Sequence, residues 1–424
     1  MSKKVALLLV LVLTASSIIT FLPVKAEGRT IVVPDDYPTI MASIANAIDG
    51  DTILVRKGTY KEHSLVINKT IMLIGEGASN SKIKNIDTTP AWDRDLYPIY
   101  PPPSPVAIQI GASNVKVSGF TIDGTDEGYE PISLLADGAQ IEDNVIEDGY
   151  NLRVWSNNNT IVRNSIGNGF IEIFGSYNNF LHNKVTGNAS IDGAIYLKGS
   201  YNLVFGNAFN DVAVYGFSKG INIYVGDNNI VARNNLTRSG GIEVGVGSKN
   251  TIFGNRLLDS GGLYITAGSD NVLFANHVEN AVIGTQVGGY SGSASNTTLY
   301  HNNFINNNEQ VFTSYGGGDS NHFDNGREGN YWSDYTGKDA NGDGIGDTPY
   351  IIEYGSHIAK DSFPLMAPFD ISTINIELTE WTKINIELPV PSRPFPTTLV
   401  ATVSIASVAV VSVGLILYFK KRNH

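Results

Sequence analysis

The sequence predicts an all-β chain wound as a right-handed parallel β-helix, with a capping helix at its N-terminal end and a single transmembrane helix near its C-terminus. Three observations lead there. A short motif recurs along the middle of the chain, apolar residues alternate with a period of two inside each copy, and an asparagine closes each copy. Such alternation over four or five residues is the signature of a strand rather than a helix.

The motif is visible in "IEIFGSYNNFLHN", "IYLKGSYNLVFGN", "INIYVGDNNIVARN", "IEVGVGSKNTIFGN" and "LYITAGSDNVLFAN". Each copy holds an alternating strand, a glycine-containing turn, an asparagine, a short apolar strand and a second asparagine. The closing asparagines are Asn144, Asn164, Asn183, Asn207, Asn234, Asn255, Asn276 and Asn302, at spacings of 19 to 27 residues. That is too short for a propeller blade and lacks a leucine-rich consensus. It suits one turn of a β-helix, in which each strand pairs with its copy ~4.8 Å away in the next turn. Amide side chains at one corner can then stack as a hydrogen-bonded ladder, with glycine supplying the positive φ of the corners.

Composition agrees. Glycine numbers 44, charged residues make up only 17%, and the net charge is −12. An acidic chain is a poor partner for nucleic acid, which is bound through clustered Lys and Arg. The absence of cysteine excludes disulfides, iron–sulfur clusters, thiolate metal sites and cysteine nucleophiles.

The ends read as addresses. Lys3 and Lys4 before an apolar run, then Val24 and Ala26 before Glu27, form a secretory signal peptide over 1–26. The charge-free segment 397–419 would span roughly 34 Å as a helix, enough for the hydrocarbon core. Lys420, Lys421 and Arg422 follow it, which places the tail 420–424 in the cytoplasm and the bulk of the chain outside the cell. Between the addresses, 27–312 is expected to hold the β-helix and its N-terminal cap, 313–370 a C-terminal cap, and 371–396 a stalk. Ile40, Ile44 and Ile48 form one face of the capping helix, which stops at Asp49-Gly50, and "TILV" reads as the first strand. The repeated "INIEL" in the stalk suggests a small hairpin, and the proline-rich stretch Pro90 to Pro105 a bulging loop.

In each strand motif the middle residue points outward if its neighbours point in. Down the stack these are Gln109, Ser133, Arg153, Glu172, Tyr196, Asn222, Glu243 and Tyr264. Tyrosine faces, carboxylates and an amide in one column suit a sugar-binding groove, with Arg153, Glu172, Tyr196, Asn222, Glu243 and Tyr264 as its residues. A solvated face carrying an Arg153–Glu172 ion pair is the alternative. Glu172 and Glu243 stand three turns apart, ~14 Å at the inter-strand spacing, which is too far for a hydrolytic carboxyl pair. No catalytic residue is assigned.

"DANGDGIGD" places Asp339, Asn341, Asp343, the carbonyl of Ile345 and Asp347 in the order of a calcium loop, with Gly344 at its turn. Tyr350 replaces the glutamate that would complete an EF-hand. The alternative is a turn held by its own Asp and Asn side chains. Sequons at Asn68, Asn158, Asn188, Asn235 and Asn296 permit glycosylation of an extracellular chain.

Taken together, "DGDTILVRKGTYKE", "INKTIMLIGEG", the asparagine-closed repeats and "NYWSDYTGKDANGDGIGDTPY" before "FPLMAP" resemble the NosD-type proteins. The likeness runs over roughly 30–368. It implies a right-handed β-helix of the pectate-lyase-like class associated with carbohydrate-binding proteins and sugar hydrolases. NosD itself is named for copper delivery. This sequence supports copper poorly, since it has no cysteine, scattered histidines and no methionine-rich run; His277 and His301, flanking ladder asparagines one turn apart, are the pair to consider. The expectation is therefore a membrane-anchored extracellular domain, structural or adhesive, binding a glycan or an envelope component. A lyase, hydrolase or epimerase acting on polysaccharide is the alternative, and a copper-associated role the second alternative.

Overall fold

The computed structural model describes residues 28–86, 106–123, 130–147, 151–167, 170–187, 193–212, 219–289, 293–313, 320–354, 357–379 and 383–387. The expected signal peptide, the proline-rich loop, Asn188, the apolar segment 397–419 and the basic tail lie outside them. Among the described residues no helix is long and apolar enough to cross a membrane.

Up to residue 371 the chain forms one unit, a right-handed parallel β-helix of three long sheets with 12, 12 and 11 strands. One turn shows the pattern. Thr160–Val162 lies in the first sheet, Ser165–Gly167 in the second and Phe170–Ile173 in the third. Each strand pairs in parallel with its counterparts above and below. Ile161, Ile166 and Ile171 from this turn are all buried. Every turn thus sends about one aliphatic or phenyl side chain per strand into a continuous core, each worth about 1.5–3 kcal/mol of burial.

The corner between the first two sheets carries the expected ladder. The amide oxygen of each asparagine accepts both the backbone N–H and the Nδ2–H of the asparagine one turn before, as Asn164 does for Asn144 and Asn255 for Asn234. The residue just before each rung is left-handed. Only two of these are glycine, Gly206 and Gly254; Asp143, Arg163, His182, Arg233, Ala275 and His301 hold φ between 51° and 57°. The rung's hydrogen bonds impose that backbone, so the side chain there need not be glycine.

A second ladder runs at the other end of the first sheet through Asn159, Asn178, Asn202, Asn229, Asn250 and Asn271. The same five-residue step separates each of these from its partner in the first ladder: Asn159 from Asn164, Asn178 from Asn183, and so on to Asn271 and Asn276.

The ends differ from expectation in detail. The first strand is Thr30–Val33, and "TILV" is the second, paired with it in register. The helix Ile40–Asn46 buries Ile40 and Ile44 in the core but stops before Ile48, which is 52% exposed. Buried Asp51 breaks it there by accepting the N–H of Ile48 and of Arg29. At the other end the coils continue past Phe312, since Tyr331–Trp332 adds a strand to the second sheet beside Asn303 and Phe304. Trp332 is buried, stacked between Phe304 and Tyr350 at ring-centroid distances of 4.7 Å.

The second unit, from residue 372, contains an antiparallel hairpin, Asn375–Thr379 with Lys383–Glu387. It uses the repeated "INIEL" strands.

Candidate functional site

The predicted outward residues do form one column. Register pairs run Gln109–Ser133–Arg153–Glu172–Tyr196–Asn222–Glu243–Tyr264 without a slip, and continue through Gln286 to Phe312. Much of the column, however, is closed to a ligand. Asn222 is 0% exposed, and Ser133 and Glu172 are buried.

Arg153 is held between two carboxylates. It bonds Glu172 at 2.6 Å through Nε and Glu130 through Nη1. Glu130 was not anticipated, because it precedes Pro131 and stands outside the motif's middle position. Burial pushes its carboxyl up to about 7; Arg153 pulls the other way, and the nearby Glu172 adds to the rise. A central guanidinium satisfying two buried carboxylates is a structural ion triad, costly to break by removing one member. Glu243 is similarly paired, with Lys219 at 3.1 Å. The hydroxyl of Tyr264 accepts the N–H of Gly262 at 2.7 Å.

The accessible chemistry lies two residues further along each strand. Trp155, Phe174 and Lys198 each follow a strand end in consecutive turns, and Tyr224 lies within the longer strand Lys219–Val225 of the next. The N–H groups of Trp155, Phe174 and Lys198 bond to Leu134, Val154 and Ile173. Trp155 and Phe174 stack at 4.1 Å with planes 2° apart. Tyr224 leans over Tyr196 at 5.1 Å. At the neighbouring corner the exposed rings of Tyr177 and Tyr201 stack at 4.9 Å. The three-residue reading of each motif stopped short of this row; the aromatic after "NLRV", "FIEI" and "INI" was its available signal.

A scan against family models matches residues 44–337 to NosD, periplasmic copper-binding protein. The chain belongs to the NosD family. No curated protein matches it. Similar solved structures include alginate lyase AlyF-OU02 with G6 (14% identity, 66% of this chain and 71% of that one, TM-score 0.49). A PL6-family polysaccharide lyase from Pseudopedobacter saltans shares 14% identity over 68% and 85% of the two chains, at TM-score 0.43. The Dettilon tailspike protein shares 14% over 72% and 64%, at TM-score 0.41. No activity is transferred from these.

His277 and His301, the pair considered for copper, are engaged separately. Among the described residues no three His, Cys, Asp or Glu side chains gather as a metal site. His277 bonds Glu279 at 3.0 Å, whereas His301 bonds Glu328 at 2.6 Å and stacks on Phe369. The two rings have different partners, and burial holds His301 below its ordinary pKa. The two therefore do not form a preassembled pair of ligands, and the chain has no thiolate to complete one.

In the predicted calcium loop, Asp339 accepts the N–H groups of Gly342, Asp343 and Gly344. Asn341, Asp343 and Asp347 accept those of Asp343, Ile345 and Ala340. The loop is tied by its own side chains and pinned to Pro364 and Met366 through Gly346 and Gly344. Of the sequons, Asn68, Asn158, Asn235 and Asn296 are exposed.

Proposed function

We propose that this NosD-family chain is a membrane-anchored, extracellular β-helix domain that binds carbohydrate on the outer face of its third sheet. The helix Ile40–Asn46 and the block from Asn330 to Leu365 act as its two end caps. The observation that carries the reading is the aromatic row Trp155, Phe174 and Tyr224 beside Tyr196, with Tyr177 and Tyr201 at the corner. Partly exposed aromatic faces and edges match the apolar CH surfaces of sugar rings, while polar neighbours bond hydroxyls. Arg153, Glu172, Asn222 and Glu243 then act as the support beneath this row, and Tyr196 and Tyr264 as its inner edge.

Affinity electrophoresis of the full chain in detergent, through gels containing a panel of polysaccharides, tests the reading. Retardation that is lost in Tyr224→Ala/Tyr201→Ala supports it. Migration unchanged by every polymer removes carbohydrate from the account and leaves a scaffold or protein adhesin.

One observation favours a second reading, as a polysaccharide-modifying enzyme. Glu130 and Glu172 approach a common arginine, and one of them titrates near neutrality. Shortened polymer in the same gels, abolished by Glu130→Gln, would establish it. We also propose a weak structural calcium ion at Asp339, Asn341, Asp343, Ile345 and Asp347, and glycans at the exposed sequons. Copper has no place in this reading.

A further inference from the structure

Lys198 is distinguished by its company. Its ammonium lies 5.0 Å from the ring centroids of Phe174 and Tyr196 and 5.7 Å from that of Tyr224. Among the described residues it forms no ion pair. The other two cations of this face are neutralised, Arg153 by Glu130 and Glu172, and Lys219 by Glu243. Three rings thus surround one uncompensated charge, and the row is open to solvent on its far side. Tyr224 is 47% exposed, and beyond it Val225 and Val246, paired in register, are 41% and 57% exposed.

Cation–π contacts hold the ammonium in place, yet they use the ring faces and leave N–H donors unassigned. An apolar aromatic surround with a single unneutralised donor complements a ligand that is apolar on its ring face and anionic at one substituent. A neutral sugar would use the rings and leave the charge idle. A simple anion would use the charge and leave the rings idle.

Building on the carbohydrate reading above, we infer that the third-sheet face selects acidic sugars. A uronate ring lies against Tyr224 and the Trp155–Phe174 stack, and its carboxylate pairs with Lys198. A charge-assisted hydrogen bond of this kind is stronger than its neutral counterpart and weakens with added salt.

The test is calorimetric titration of the full chain in detergent with a hexagalacturonate, with the same hexamer after reduction of its carboxyl groups, and with a short polyglutamate of matching charge. The acidic hexamer should bind at least tenfold more tightly than the reduced one. Lys198→Met, which keeps the stem and removes the charge, should bring the two hexamers to parity, and Lys198→Arg should restore most of the difference. Equal binding of both hexamers by the parent chain, or an unchanged ratio in Lys198→Met, overturns the inference while leaving carbohydrate binding intact. Polyglutamate binding as tightly as the hexamer also overturns it, since charge alone would then suffice. Binding of neither hexamer, together with unretarded migration across the polysaccharide panel, removes both the inference and the reading beneath it.

Discussion

The backbone N–H of Asn330 donates to the carboxylate of Asp361 at 2.7 Å, so a run of stacked amides ends on a negative charge. Asn302 hands the ladder to Asn330 through the same two bonds used by every rung above. Asp361 also accepts Trp332 Nε1–H at 2.9 Å and the N–H of Phe363 at 3.0 Å. Each rung donates its backbone N–H and one Nδ2–H toward this end and its other Nδ2–H to a carbonyl of the turn before, as Asn164 does. The Asp361 carboxylate ends the run by accepting without donating. Asp361→Ala leaves several buried donors without partners and should cost on the order of 3 kcal/mol in urea unfolding. Asp361→Asn keeps an acceptor and should cost clearly less. Equal losses in the two variants would argue that the ladder's terminus is immaterial.

Within the ladder, Asn234→Ala removes the acceptor for Asn207 and the donor to Asn255 and Val204. A loss of about 2–3 kcal/mol is expected, against less than about 0.5 kcal/mol for exposed Asn68→Ala, whose backbone is not left-handed. Denaturant midpoints for the two variants decide it.

Ala275 holds φ at 51° just before a rung. Replacing it by glycine relieves a left-handed backbone strain of roughly 1 kcal/mol. Ala275→Gly should raise the thermal midpoint slightly, and a lowered midpoint would show that the methyl group's packing outweighs the strain.

The Glu130 carboxyl titrates at about 7 in the folded chain, above its ordinary 4.5. Its contribution to stability is therefore fully present below about 4.5 and is lost as pH rises through about 7. Asp361, pushed up to about 6 by burial, acts in the same sense over a more acidic range. His301, held low by burial, opposes them below its ordinary 6.5. The thermal midpoint should fall as pH rises from about 4.5 to about 7, and Glu130→Gln should flatten that fall. A parent curve level across this window would refute the assignment.

Calcium in the Asp339–Asp347 loop should stabilise the folded chain by about 1–2 kcal/mol at concentrations some ten- to thirtyfold above the dissociation constant. Chelator should reverse the shift, and Asp343→Ala should abolish it. If calcium leaves the parent's melting curve where chelator does, the loop is only the self-tied turn that its hydrogen bonds already make it.

The fold was legible because its periodic parts are local. Alternation gives the strands, and the asparagine at each corner gives the ladder from Asn144 to Asn302. Asn330 was missed because its turn breaks the local rule. The first-sheet strand before it shrinks to a single bridge between Thr298 and His322, so no alternating apolar run announces the rung. Asp361 lies 31 residues beyond and is brought back only by tertiary folding. The column at the candidate site was read correctly as a register but not as a surface. Burial of Asn222 and the clamp on Arg153 depend on neighbours from other turns, which a one-dimensional pattern does not show.

The two ladders bracket the first sheet with an unvarying step, from Asn159 to Asn164 as from Asn271 to Asn276, while the distance from one rung to the next ranges from 19 to 28 residues. Height is therefore counted in rungs and not in amino acids. A lineage carrying this framework can lengthen the segments between rungs, and so broaden what the molecule displays sideways, without altering its rise or disturbing a single pairing along its spine.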